Sequence, residues 1–390
     1  MSPYRFSALV VAASLVATGG CSFVRNLDDL TGGHGDAAPD ASNTCATDCL
    51  GGACLAGVCQ PITLIEGRPR PWGIAVDDTH HVYWSEIGTS SVYGAAYELL
   101  PDAGEARVIE SDDIQPMWLF IGQGNLYWAS MIEPGAIGRC PLGGSGCVYE
   151  PGLALNPPGS IVAEGFESND YVNNPDRVVA DSSGIYWTNA GTSRDSDDGT
   201  VVVCPSTGCG KPPPFVLATA LPRPRGIAVD AAYVYWVNDG PSTNPTSGTV
   251  YRISKEGGTA QKIADSQGTP GYIAVDDVNA YWTNSGTGQV MVWPKSGGDV
   301  SVFAANQDNA WDIAVDASGV YWTTWGPSGT VAMCPTSGCD GGVTVLASNQ
   351  NEPYGIALDT NAVYYTSYDP TNGAVLEVAK PATSRASKSP

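Results

Sequence analysis

Few side chains in this 390-residue sequence are spaced for chemistry. Its three histidines are His34, His80 and His81. None belongs to a His-Glu-x-x-His pair, and no Gly-x-Ser-x-Gly elbow or phosphate-binding glycine loop occurs. His80-His81 falls in a turn between two apolar runs and reads as surface. Asp195-Ser196-Asp197-Asp198-Gly199 loosely resembles a calcium loop, but it lacks the closing bidentate Glu. It reads as a solvated acidic loop. Cys45, Cys49, Cys54 and Cys59 have two readings. In an exported chain they are two disulfides, with three pairings open; the alternative is a four-thiolate zinc site. Three more cysteine pairs are local: Cys140 with Cys147, Cys204 with Cys209, and Cys334 with Cys339. Eleven cysteines are present, so apart from Cys21 all can pair. No catalytic residue, metal or cofactor is assigned.

These residues hang on a repeat. Pro71-Trp72-Gly73-Ile74-Ala75-Val76-Asp77 is followed by Val82-Tyr83-Trp84. The pattern returns at Pro175, Pro224, Pro270, Ala310 and Pro353, with a weaker copy at Pro116. The marker series Trp84, Trp128, Trp187, Trp236, Trp282, Trp322, Tyr365 advances by 44, 59, 49, 46, 40 and 43 residues. Each copy supplies β-branched and aromatic runs bounded by Pro, Gly and Asp. The runs are apolar at successive positions, so both faces must be covered. A period of this size fits four strands per repeat, and radial stacking buries both faces. The expected fold is therefore all-β, a seven-bladed β-propeller, with six blades as the runner-up. Third strands are expected at Ser91-Val92-Tyr93 and at Gly248, Gly288 and Gly329. Each cysteine pair would staple the turn between a third and a fourth strand. The seventh repeat lacks a fourth strand, while Ile62 to Ile65 has no repeat of its own. That strand is expected to close the ring beside Val375 to Val378, which protects an exposed edge.

The formal charge is −22 and the pI about 4.2, which argues against nucleic acid as a partner. Residues 1–20 read as a signal peptide, with Arg5 before an apolar stretch too short to span a membrane. Gly19-Gly20-Cys21 resembles the bacterial lipobox, with Thr18 where that motif has Leu. The resemblance implies acylation of Cys21, and Ser22 after it implies the outer membrane. Residues 21–44 are then a flexible tether, 45–59 a cysteine-rich mini-module, 60–380 the propeller, and 381–390 a disordered tail.

Tyr-Trp-Thr-Asn after Ile-Ala-Val-Asp is similar to the YWTD repeats of lipoprotein receptors and to bacterial NHL-like propellers, over about residues 60 to 380. The resemblance implies that the motif Trp and Tyr side chains are core. Virginiamycin B lyases are also seven-bladed and act through a histidine on one ring face; no loop expected on that face here carries one. Two function classes remain. One is a cell-envelope lipoprotein whose propeller binds or scaffolds a protein, peptide or glycan. The alternative is a metal-dependent propeller hydrolase or lyase, which needs acidic residues converging on the axis. The residue after the first of each repeat is Trp72, Met117, Asp176, Arg225, Gly271, Trp311 or Tyr354, and only one is acidic. Binding is favoured. Ring order brings Trp311, Trp325, Tyr354, Tyr368 and Trp72 to one arc, with Asp176, Arg177 and Arg225 opposite. These eight are the candidate ligand-binding residues, because rigid rings supply contact area at little entropy cost.

Overall fold

The computed structural model describes residues 45, 48–88, 94–99, 106–111, 115–130, 135–142, 161–164, 172–208 and 214–381. The signal peptide, Cys21, His34, the tether to residue 44, Cys147, Cys209 and the tail from 382 lie outside them.

Among the described residues every regular element is a strand. They form seven four-stranded antiparallel sheets and one two-stranded hairpin, so the propeller has seven blades, not six. The innermost strands of blades 1 to 7 are Pro71–Val76, Pro116–Gly122, Pro175–Ala180, Pro224–Val229, Pro270–Val275, Ala310–Val315 and Pro353–Leu358. Each packs against the next, and the seventh against the first. Ile62–Arg68 supplies the outer strand of blade 7, pairing with Gly373–Ala379; Thr63 faces Leu376 and Ile65 faces Val375. The third strand of blade 1 is Ala95–Leu99, a few residues beyond the expected Ser91-Val92-Tyr93, which is outside the described residues.

The second strands carry the core. Trp84, Trp128, Trp187, Trp236, Trp282 and Trp322 are fully buried between blades. Each such ring contributes roughly 1.5–3 kcal/mol of burial. At the far end of the first strand in every blade but the second, the chain turns on Asp77, Asp181, Asp230, Asp276, Asp316 or Asp359. One oxygen of each accepts the amide two residues on, as at Thr79, Ser183 and Ala232. In four blades the other oxygen accepts the hydroxyl of the motif Tyr, for example Tyr235 at 2.8 Å.

The cysteine module is closed by Cys45–Cys54 and Cys49–Cys59, which settles the pairing left open by the sequence. Cys334–Cys339 staples blade 6 as expected. Cys140 and Cys204, each at the end of a third strand, are also disulfide-bonded.

Candidate functional site

All seven first strands bulge at the same place. The register with the second strand slips between the first residue and the fourth, for example between Pro71 and Ile74. The two bulged residues leave the ladder, as bulges do when they re-aim side chains. Their backbone needs other partners, and the hydroxyl after the Tyr-Trp motif provides them. Thr323 Oγ1 accepts the Asp312 amide at 3.2 Å and donates to the Tyr354 carbonyl of the next blade at 2.8 Å. Ser85, Thr283 and Thr366 make the same bridge. Thr188 repeats it, donating to Arg225 O. Blades 2 and 4 have Ala129 and Val237 there.

The first bulged position holds Trp72, Met117, Asp176, Arg225, Gly271, Trp311 and Tyr354. The second holds Gly73, Trp118, Arg177, Gly226, Tyr272, Asp312 and Gly355. Blades 1, 4 and 7 need glycine, since a Cβ on Gly73 would lie 2.3 Å from Met117 O, one on Gly226 2.5 Å from Tyr272 Cα and one on Gly355 2.6 Å from Trp72 O. The large side chains of the other blades converge instead. Trp118 of blade 2 meets Tyr272 of blade 5 at 4.5 Å, and Arg177 of blade 3 reaches Asp312 of blade 6 at 2.6 Å. Tyr272 is 0% exposed and Asp312 1%. Together they fill the axis. Arg177 lies 4.8 Å over both Trp118 and Tyr272.

Arg225 forms the next layer. It donates to Tyr272 Oη at 2.8 Å, pairs with Asp176 at 3.3 Å, and lies over Tyr272 and Trp311. Burial opposes its charge, but the Tyr272 oxygen and the Asp176 carboxylate outweigh that and hold the guanidinium ionised. For Arg177, burial is likewise outweighed, mainly by Asp312. Burial pushes the Tyr272 and Tyr354 hydroxyls up, so both stay neutral. Both carboxylates at the axis are thus committed to arginines.

The expected aromatic arc is assembled. Tyr354 lies 3.9 Å from Trp72, 5.0 Å from Trp311 and 6.1 Å from Tyr368, and Trp325 lies 6.5 Å from Trp311. The eight candidates differ in access. Tyr354, Asp176 and Arg225 are buried; Trp72, Arg177, Trp311 and Tyr368 are half-buried; Trp325 is 40% exposed. Trp325 and Tyr368 are equivalent positions, fixed because their amides bond the carbonyls of Asn309 and Glu352. Those two residues, like Arg70, Asn174, Arg223 and Thr269, precede their blades with φ between 44° and 56°. The nitrogens of Trp72 and Trp311 and one oxygen of Asp176 are buried without a protein partner.

Trp118, Tyr272 and Asp312 are the axial residues that the sequence analysis did not single out. Their signal was present: each replaces the Gly found at the second bulged position in Gly73, Gly226 and Gly355. His80 and His81 lie at the opposite end of the ring, beside Asp359 at 2.6 Å and Glu98 at 3.1 Å. In the acidic loop, Asp195 accepts from Ser242, and Asp198 from Thr192 and Ser196. Among the described residues, one group of three potential metal ligands clusters, Cys45, Cys49 and Cys59, and disulfides engage all three sulfurs.

No family profile and no curated protein matches the chain. Solved structures do. A catalytically inactive variant of virginiamycin B lyase from Staphylococcus aureus, solved with quinupristin, aligns at TM-score 0.57 and 14% identity, over 81% of this chain and 98% of that one. A streptogramin B lyase aligns at 0.55 and 13%, over 82% and 97%. A chain of the nidogen/laminin complex reaches 0.49 at 17% identity, over 67% and 94%, too low to argue from. The lyase likenesses show the propeller fold and nothing finer.

Proposed function

We propose that the protein is an exported, lipid-anchored binding module, held by Cys21 and presenting the end of the ring where the first strands begin. Its ligand is a protein, peptide or glycan. The observation that carries this reading is the arc of accessible rings, Trp72, Trp311, Trp325 and Tyr368, standing on buried Tyr354 and a filled axis. Rings fixed in this way lose little freedom on binding. A hydrolytic reading would need an axial carboxylate free to act as a base, whereas Asp176 and Asp312 each face an arginine.

The test is capture from the native cell envelope by the purified protein, with Trp72→Ala and Trp311→Ala made together. The wild type should retain a specific partner that the double variant loses, with far-UV circular dichroism unchanged. Undiminished capture by the folded double variant would move the site off this end.

A further inference from the structure

The arc runs into a cavity at the rim of blade 6. The cavity is open to solvent and has a volume of roughly 450 Å³, within the range of small-molecule sites. Trp325 borders it, together with Asn306, Asp308, Asn309, Thr330 and Val345. From these residues we propose that the cavity is a subsite for a neutral carbohydrate. The proposal rests on the binding-module reading above and names the ligand class at one part of its face.

Three observations carry it. First, Trp325 leans on Trp311 and still exposes 40% of its surface, so ring area remains for a ligand in the cavity. An exposed indole can stack on the apolar C–H face of a sugar. Second, the backbone beside it is fixed and the polar side chains it carries are unspent. Gln307 N bonds Gly288 O at 2.8 Å, Ala310 N bonds Gln307 O at 2.9 Å, and Asn309 O accepts the Trp325 amide at 3.0 Å. The loop is therefore tied to the ring it serves. Gln307 is occupied by Trp322 Nε1 at 2.9 Å. No hydrogen bond among the described residues engages the side chains of Asn306, Asp308 or Asn309, and all three are exposed. Two amides and a carboxylate supply the paired donors and acceptors that sugar hydroxyls require. Third, no lysine, arginine or histidine lines the cavity. An anionic polymer would meet Asp308 and a chain of net charge −22 with no cation to offset them.

The experiment uses the full chain in mild detergent, with saturation-transfer NMR and calorimetry. The probes are chitotetraose, cellotetraose, maltotetraose and mannotetraose, with oligogalacturonate and tetralysine as charged controls. At least one neutral saccharide should bind, and neither control should compete. Trp325→Ala should weaken that binding by about tenfold or more, with Trp325→Phe retaining most of it. Asn306→Ala and Asp308→Ala should each weaken it several-fold. The proposal is overturned if no neutral saccharide binds, if Trp325→Ala binds as well as wild type, or if tetralysine displaces the sugar. Envelope capture separates the two readings. A partner lost in the Trp72/Trp311 double variant, with no saccharide bound, keeps the binding face and removes the sugar subsite.

Discussion

Replacing Thr323 by Val tests what holds one blade to the next. Thr323 is fully buried, and its hydroxyl joins the bulge of blade 6 to the backbone of blade 7. Valine keeps the shape and removes the hydroxyl. The Asp312 amide then loses its acceptor, which costs about 1–3 kcal/mol for a buried donor, and the Tyr354 carbonyl loses a bond worth about 0.5–1.5 kcal/mol. The added methyl returns about 0.8 kcal/mol at most. The net loss is about 1–4 kcal/mol. It falls on two residues of the site, since Asp312 anchors Arg177 and Tyr354 is the pedestal of the arc.

Urea unfolding followed by tryptophan fluorescence measures the loss, with Thr323→Ser as the control that keeps the hydroxyl. Serine should cost clearly less than valine. The reciprocal change, Val237→Thr, offers a hydroxyl where blade 4 meets blade 5, and should gain up to about 1 kcal/mol. A Thr323→Val variant within about 0.5 kcal/mol of wild type, or a serine variant as costly as the valine one, would refute the role of the hydroxyl bridge.

Palmitate labelling of the native chain should vanish in Cys21→Ala, with release into the soluble fraction; label retained by the variant would refute acylation at that residue. Deleting residues 60–66 removes the outer strand of blade 7 and should lower the melting temperature and promote aggregation through the bared edge of Gly373–Ala379; an unchanged melting temperature would contradict the closure. Acid should destabilise the ring. Burial pushes the Asp230 carboxyl up, but Lys295, the Ala232 and Tyr233 amides and the Tyr235 hydroxyl outweigh it and hold the carboxyl at about 2. This is below the ordinary value of about 3.9, so Asp230 adds stability above that pH and loses it as pH falls toward 2. Asp181, Asp316 and Asp359 are lowered too, against burial, by Lys255, Lys380 and the Ala362 amide respectively, among other donors. Lys295→Met should therefore be less stable at pH 7 yet lose less between about pH 4 and 2, read as urea midpoints; an equal loss would rule the pair out.

Much of the fold was legible because the repeat writes it down. Ile-Ala-Val and Tyr-Trp are buried on both faces, and a run of that kind has few ways to be covered. The closing strand was legible from a missing fourth strand at one end and a surplus strand at the other. The bulge was not, because its cause is a backbone slip rather than a residue type, and the hydroxyl that satisfies it reads as an ordinary strand Thr. The left-handed residues before six of the seven blades were hidden as well. Thr269 and Glu352 seldom adopt such a φ, and ring geometry imposes it on them. The arc was legible from blade order alone. The pairing of Arg225 with Asp176 and of Arg177 with Asp312 was not, because each pair joins different blades through the third dimension. So the sequence offers candidate contacts, and the structure separates Tyr354, Asp176 and Arg225, which are buried beneath the face, from Trp72, Arg177, Trp311, Trp325 and Tyr368, which keep exposed surface.

The two ends of the ring divide its work. At the turn end, the repeated groups are spent on joining blades. Lys255, Lys295 and Lys380 each reach back to the turn Asp of the preceding blade, Asp181, Asp230 and Asp316, and His80 meets Asp359 across the closure. Blades 2, 3 and 6, which lack such a lysine, end their third strands in disulfide-bonded Cys140, Cys204 and Cys334. Packing there dictates the same few solutions over and over. At the other end the first bulged position differs in nearly every blade, from Trp72 through Asp176 and Arg225 to Gly271 and Tyr354. A packing rule shared by seven equivalent strands would produce seven similar residues. Where the copies diverge while the backbone around them stays equivalent, no single packing rule shared by the blades selects the side chain. That divergence is centred on the axis, bordered by half-buried and exposed rings, and continuous through Trp325 with the cavity of blade 6. The turn end holds the ring together; the varied end is the one on which the proposed ligand would be recognised.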